Sequence, residues 1–295
     1  MKAPKFSVRP PLVHQFREML PKPEINGRFM TLCIAAIACN DKKIAMVSDF
    51  MLSGDGESWE TRGNKFVRAG HTGKWISMFA GCPSHAKFIW SNVQRILEDT
   101  KKERGGDMGE VFSHAFRCEL KQSVEDNILS PLGLNLEQFL NARLVLGDEA
   151  FNRILEKVKE TMLETIFLIC GFDAGGPHIL SVSDPGTASI HDQAGFCSIG
   201  CGFPQANAAL AAGEFSPLMP INEIIYRILD AKFRSEIVMG VGRRTIVSIL
   251  CEDGTQQQIS ADNVEASRKL WRERQKPPPE SEELIDSILE NHPRK

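Results

Sequence analysis

The chain has 295 residues, 42% hydrophobic and 25% charged, with a formal net charge of −3. That is the composition of a globular protein long enough to bury a large core, as one large domain or two smaller ones. The mild acidity argues against a nucleic-acid partner, and the longest apolar runs, such as Ile166–Cys170, fall far below the roughly 18 residues of a membrane helix.

Residues 1–30 are Pro-rich and lack the apolar stretch of a secretory signal, with one short amphipathic turn at Val13–Leu20. They read as a leader, a propeptide or an over-called start. The pattern then changes. Thr31–Ala38 and Lys43–Asp49 are β-like runs around the turn formers Asn40-Asp41-Lys42. Phe66–Ala69 and Lys74–Ala80 make a second hairpin around Thr72-Gly73. Pro83-Ser84 opens a helix in which Ile89, Val93, Ile96 and Leu97 share a face. The basic run Lys101-Lys102-Glu103-Arg104 reads as its solvated end. Val111–Asn127 is a second amphipathic helix, Ser130-Pro131-Leu132-Gly133 breaks the pattern, and shorter helices follow at Leu136–Leu140 and Ala150–Leu163.

Strands return at Thr165–Phe172 and His178–Val182, joined by the hairpin signal Asp173-Ala174-Gly175-Gly176. Gly186-Thr187 closes a turn, and Phe196–Ile199 is a short strand. Helices at Pro204–Ala212 and Ile221–Ile237 precede a last strand at Thr245–Cys251. Residues 255–295 read as a charged tail with one helix, a Pro277-Pro278-Pro279 hinge and an acidic helix at Glu280–Glu290. Two antiparallel sheets packed face to face, with helices on both outer faces, would bury these apolar strands. The short connections disfavour a doubly wound parallel fold.

Eight cysteines are present, most in apolar runs, and no CxxC pair occurs. A reduced, cytoplasmic setting is expected, with no zinc knuckle or redox motif.

Thr31-Leu32-Cys33-Ile34-Ala35-Ala36-Ile37 followed by Ile44-Ala45-Met46-Val47-Ser48-Asp49 resembles the opening hairpin of proteasome β-type subunits, which are N-terminal-nucleophile hydrolases. Lys65 lies at the family's spacing after Asp49, and Phe79-Ala80-Gly81 resembles the family's Ala-Gly strand end. Cys170-Gly171-Phe172-Asp173, Asp184-Pro185-Gly186 and Ser198-Ile199-Gly200-Cys201-Gly202 resemble later family motifs in the right order. The likeness runs from Thr31 to Cys251 and is greatest toward bacterial and archaeal proteasome-like proteins.

The resemblance implies an α+β fold, the four-layer αββα sandwich of N-terminal-nucleophile hydrolases, over residues 31–254. It also implies a threonine peptidase or amide hydrolase without metal or organic cofactor. The catalytic set would be Thr31, Asp49, Lys65, Gly81, Cys201 and Glu236. Thr31 would be the nucleophile, its own α-amine the base, Lys65 the nearby ammonium held by Asp49, and the Gly81 N–H the oxyanion donor. Unfolded polypeptide would be the substrate, in a homo-oligomeric ring fed by an ATPase unfoldase.

Several residues depart from the family pattern. Thr31 is preceded by Met30 rather than glycine, and its nitrogen is a base only once residues 1–30 are absent. Translation from Met30 followed by methionine removal would expose Thr31 without self-cleavage. The Thr31–Asp49 interval is two residues longer than the commonest family spacing, which makes Cys33 a second candidate for the nucleophile slot. Cys201 stands where the family has serine. Glu236 stands where it has aspartate, and Met239 replaces a second serine. A non-catalytic β-like ring subunit or scaffold, and a free-standing amidase, are the alternatives.

Overall fold

The computed structural model describes residues 31–54, 57–60, 65–100 and 103–275. The 1–30 leader, Lys101-Lys102, the Pro277–Pro279 hinge and the acidic helix expected at Glu280–Glu290 lie outside them.

The chain opens with the hairpin β1 (Cys33–Ala38) and β2 (Lys43–Asp49), then β3 (Met51–Gly54), β4 (Glu57–Glu60), β5 (Val67–Ala69) and β6 (Trp75–Gly81). Next come α1 (Pro83–Thr100), α2 (Gly105–Val124), a π turn and a short 3-10 turn, and α3 (Leu136–Asn141), α4 (Arg143–Leu146) and α5 (Asp148–Glu160). Strands β7 (Thr165–Asp173), β8 (Gly176–Ser183), β9 (Thr187–Ile190) and β10 (Phe196–Ile199) precede α6 (Phe203–Ala212) and α7 (Ile221–Ser235). The described chain ends with β11 (Thr245–Cys251), β12 (Gln256–Ile259) and α8 (Ala261–Arg274).

Two five-stranded sheets form, ordered β10-β1-β2-β11-β12 and β5-β6-β7-β8-β9, and every strand pairing within them is antiparallel. Strand periodicity explains how they stack. In β1, Cys33, Ala35 and Ile37 face the opposite sheet, while Leu32 just before it, Ile34 and Ala36 face helices α6 and α7. In β7, Ile166, Leu168 and Cys170 meet the first sheet, while Phe167 and Ile169 meet α1 and α2. Both faces of both sheets are therefore covered, which is why these strands read as continuous apolar runs rather than alternating ones. The result is the α+β, four-layer αββα sandwich of two antiparallel sheets.

The β7–β8 turn forms where the glycines stand. Asp173 pairs with Gly176, the Asp173 Oδ1 accepts the Gly175 N–H at 2.6 Å, and Gly176 adopts φ +121°. Three elements go beyond the sequence expectation. The β3–β4 hairpin occupies the stretch between Asp49 and Lys65. Strand β9 follows Gly186-Thr187, and the polar β12 forms an edge of the first sheet. Residues 256–274, read from the sequence as tail, thus supply a strand of the sandwich and the helix α8, whose Val264 and Trp271 pack against α7.

Candidate active site

The β1–β2 register sets the site. Cys33 pairs with Ser48, so Thr31, just before β1, lies beside Asp49 at the end of β2. Both are withdrawn from solvent, as is Lys65, which precedes β5. The Thr31 hydroxyl donates to Asp49 Oδ1 and accepts from Lys65 Nζ. Lys65 Nζ also donates to the same carboxylate oxygen at 2.9 Å. Asp49 is oriented further by backbone donors: Leu32 N–H at 3.2 Å and Gly242 N–H at 2.9 Å on Oδ2, and Met51 N–H at 3.2 Å on Oδ1. A buried carboxylate needs such partners to remain charged.

The Gly200-Cys201-Gly202 segment closes over Thr31. Gly200 sits at φ +97°, and a Cβ there would collide with the Thr31 carbonyl oxygen and stand 2.8 Å from its carbonyl carbon. Only glycine lets the two backbones approach this closely. The Cys201 thiol donates weakly to the Thr31 carbonyl at 3.5 Å and to the Met239 carbonyl at 3.6 Å, and burial raises its pKa. It touches the Thr31 backbone, not the hydroxyl. Gly81 ends β6 at φ +106°, paired with Thr165, two residues past Phe79, whose carbonyl faces the Cys33 thiol at 3.6 Å.

One expectation changes. Glu236 does not meet Thr31: its oxygens accept from Lys232 Nζ at 2.6 Å and from the Arg268 guanidinium. As the residue capping α7, one turn past Lys232, it is drawn to that lysine and to α8 instead. Cys33, the alternative for the nucleophile slot, is a poor nucleophile. It is fully buried within β1, 3.3 Å from the Ser48 hydroxyl, and burial pushes its thiol up to about 11.

Sequence reasoning missed Lys232, Arg268 and Gly242. Four residues before Glu236, Lys232 reads as half of a surface helix pair, yet it is fully buried, and burial pulls its ammonium below the ordinary value against the opposing Glu236 charge. Arg268 carries no local signal at all.

Among the described residues, no group of three or more His, Cys, Asp or Glu side chains is arranged to hold a metal ion, and no helix is long and apolar enough to cross a membrane. Two open clefts of about 670 and 660 Å³ lie on the outer faces, one between α2 and β9, the other among α6, α7 and α8. Neither is lined by Thr31, Asp49 or Lys65.

No family model matches the chain. No curated protein matches it either. Solved structures do. Anbu (ancestral beta-subunit) from Yersinia bercovieri superposes with a TM-score of 0.58 at 16% identity, over 90% of this chain and 99% of that one. A mutant Anbu from Hyphomicrobium sp. strain MC1 gives 0.55 at 15% identity, with the same coverage. The expected likeness to proteasome β-type subunits of the bacterial and archaeal branch is therefore corrected: these neighbours are Anbu, the ancestral β-subunit. The motifs that carried that expectation mark strand ends and turns of the sandwich, so they report the fold rather than one branch of it. At these identities the likeness establishes the fold.

Proposed function

We propose that the protein is a proteasome-like N-terminal-nucleophile hydrolase, cleaving peptide or other amide bonds with Thr31 once residues 1–30 are absent. The observation that carries the proposal is the buried contact of the Thr31 hydroxyl with both Lys65 and Asp49. With Thr31 N-terminal, its α-amine, of reference pKa about 7.7–8.0, takes the hydroxyl proton, and the Lys65 ammonium beside it disfavours a second positive charge. Oγ1 then attacks the scissile carbonyl carbon. The Gly81 N–H receives the oxyanion, a contribution of roughly 10²–10³ in rate where such donors have been removed. The protonated amine gives its proton to the leaving nitrogen, leaving an ester on Thr31. Water, activated by the same amine, hydrolyses the ester and regenerates the hydroxyl. Asp49 holds Lys65, and Cys201 packs against the Thr31 backbone.

Unfolded polypeptide is the substrate class, in the cytoplasm, with the chain forming a homo-oligomeric ring served by an ATPase unfoldase. The name of the neighbours, an ancestral β-subunit, supports an assembled form. A non-catalytic ring subunit or scaffold is the second reading. It is favoured by Met30, which locks the Thr31 nitrogen in an amide in the full chain, and by the diversion of Glu236 away from the threonine.

The deciding experiment is the N-terminal sequence and intact mass of the full-length chain carrying a C-terminal tag, with hydrolysis of peptidyl-aminomethylcoumarins measured on the same sample. A chain beginning at Thr31 that turns over these amides, and loses turnover in Thr31→Ala, supports the hydrolase. A chain retaining its leader and inert toward them supports the scaffold.

A further inference from the structure

We propose that Arg268 and Lys232 are positioning residues of the Thr31 site, which act by gripping residues 242–245 and thereby holding the Gly242 N–H on the Asp49 carboxylate. The proposal rests on the hydrolase reading above and assigns α8 a part in it.

Three charged side chains from two helices and a helix end meet in the interior. The Lys232 side chain is 0% exposed, that of Arg268 5% and that of Glu236 11%. Removing three ionic groups from water is costly, and such clusters give little net stability compared with apolar packing. What these groups grip is more informative. Lys232 Nζ donates to the Gly242 carbonyl at 2.8 Å. Arg268 Nη2 donates to the Arg243 carbonyl at 2.6 Å and to the Thr245 hydroxyl at 3.2 Å. Glu236 bridges the two cations.

The opposite side of the gripped segment faces the site. Gly242 N–H donates to Asp49 Oδ2 at 2.9 Å, and Thr245 pairs with Asp49 across β11 and β2. Asp49 in turn accepts from Thr31 and Lys65. A continuous path of hydrogen bonds therefore runs from α8 to the candidate nucleophile. Glycine at 242 has no side chain to anchor it, so its placement depends on these outer contacts.

The test uses the full chain, its N-terminus read first, in three forms: wild type, Arg268→Met and Val264→Ala. Methionine keeps an apolar stem over the Phe233 ring, which the guanidinium now covers at 4.2 Å, but removes the donors. Val264 is a buried α8 residue outside the network. With a peptidyl-aminomethylcoumarin, Arg268→Met is expected to lower kcat at least tenfold with KM within twofold. Val264→Ala is expected to lower the melting temperature and leave kcat within twofold. In ¹⁵N-glycine protein, amide exchange at Gly242 is expected to quicken at least tenfold in Arg268→Met while Gly171, inside β7, is unchanged. Wild-type kcat in Arg268→Met, or an equal kcat loss in Val264→Ala, overturns the proposal and makes α8 a plain buttress. Unchanged Gly242 exchange overturns it by itself. If the wild type hydrolyses nothing, the hydrolase reading falls, and the exchange measurement still decides whether Arg268 holds Gly242.

Discussion

Lys65 Nζ stands 2.9 Å from Asp49 Oδ1, with the lysine side chain 3% exposed and the aspartate side chain 0% exposed. Neither charge has water to fall back on. Removing one partner of such a pair leaves the other buried and uncompensated, at a cost of about 3–5 kcal/mol. Lys65→Met is thus expected to lower the chemical-denaturation stability by that order and to abolish hydrolysis. Lys65→Met combined with Asp49→Leu should recover part of the stability but none of the activity. A single variant as stable as wild type would overturn this expectation.

The approach of Gly200 to Thr31 gives a second expectation. Gly200→Ala places a methyl group into the Thr31 carbonyl at a positive φ, so either Thr31 or the 200–202 turn must move. Gly133 is the control: it also has positive φ, at +73°, but open space where its Cβ would be. Gly133→Ala should cost about 1 kcal/mol from backbone strain alone, whereas Gly200→Ala should cost more, about 2–4 kcal/mol, and lose turnover. Thermal melts of the two variants alongside wild type provide the comparison.

Both nucleophile candidates are buried, and what separates them is their contacts: the Thr31 hydroxyl meets Lys65 and Asp49, whereas the Cys33 thiol meets Ser48 inside β1. Cys33 points between the sheets with its thiol pushed up to about 11, and so carries almost no thiolate at neutral pH. Cys33→Ser keeps a donor next to Ser48 and the Phe79 carbonyl, and is expected to retain hydrolysis within a few-fold. Thr31→Ala should lose it entirely. Turnover assays on both variants check this, and the reverse pattern would move the nucleophile to position 33.

What could be read from the sequence followed physical lines. Strands β1, β2, β6 and β7 are apolar on both faces because each lies between another sheet and a helical layer, so they stand out as runs. Strands β9 and β12, with the sequences Thr187-Ala188-Ser189-Ile190 and Gln256-Gln257-Gln258-Ile259, are edges with little to bury, and carry no such mark. Thr31, Asp49 and Lys65 come together because a hairpin register and a spacing, both local, bring them there. Glu236 was misplaced because its partner Arg268 lies on a helix 32 positions away, and no local pattern reports that pairing. Lys232 was hidden for a related reason: its burial is created by the 242–245 segment and α8, not by its own helix.

Asp184 leads to a pH expectation. Burial raises its carboxyl to about 6 from 3.8, against the Leu163, Thr165 and Glu164 backbone N–H groups, and among the described residues its Oδ2 has no hydrogen-bond partner. With the folded-state pKa above the unfolded one, protonation favours the folded state. This contribution is full below 3.8 and is lost as pH rises through about 6. Asp184→Asn removes the titration. Wild type should therefore gain melting temperature relative to Asp184→Asn as pH falls from 7 to 4.5. Parallel pH profiles for the two proteins would rule the assignment out.

His178 acts through a different device at the α2 entry. Its Nδ1 donates to Asp192 at 2.7 Å and its Nε2 to Asp173 at 2.9 Å, which requires both ring nitrogens to carry protons. The ring stacks on Trp75 at 6.1 Å, and Asp173 also accepts the Gly105 N–H at the start of α2 at 2.9 Å. Burial opposes the imidazolium, but the two carboxylates prevail and raise its pKa. A raised histidine stabilises most fully below its unfolded pKa, and that stability fades as pH rises through the folded one. Desolvation pushes the Asp173 carboxyl up, but the Gly105 N–H, His178 and the Gly175 N–H together lower it to about 2, so it keeps its charge through the whole of that window. His178→Gln should thus be destabilised most below pH 6 and approach wild type as pH rises and the wild-type imidazole loses its proton. Amide exchange at the α2 N-terminus, followed across the same pH range, should lose protection in step. A stability difference that instead grew with pH would mean that the neutral ring, not the imidazolium, is the form that holds α2 to the β7–β8 turn.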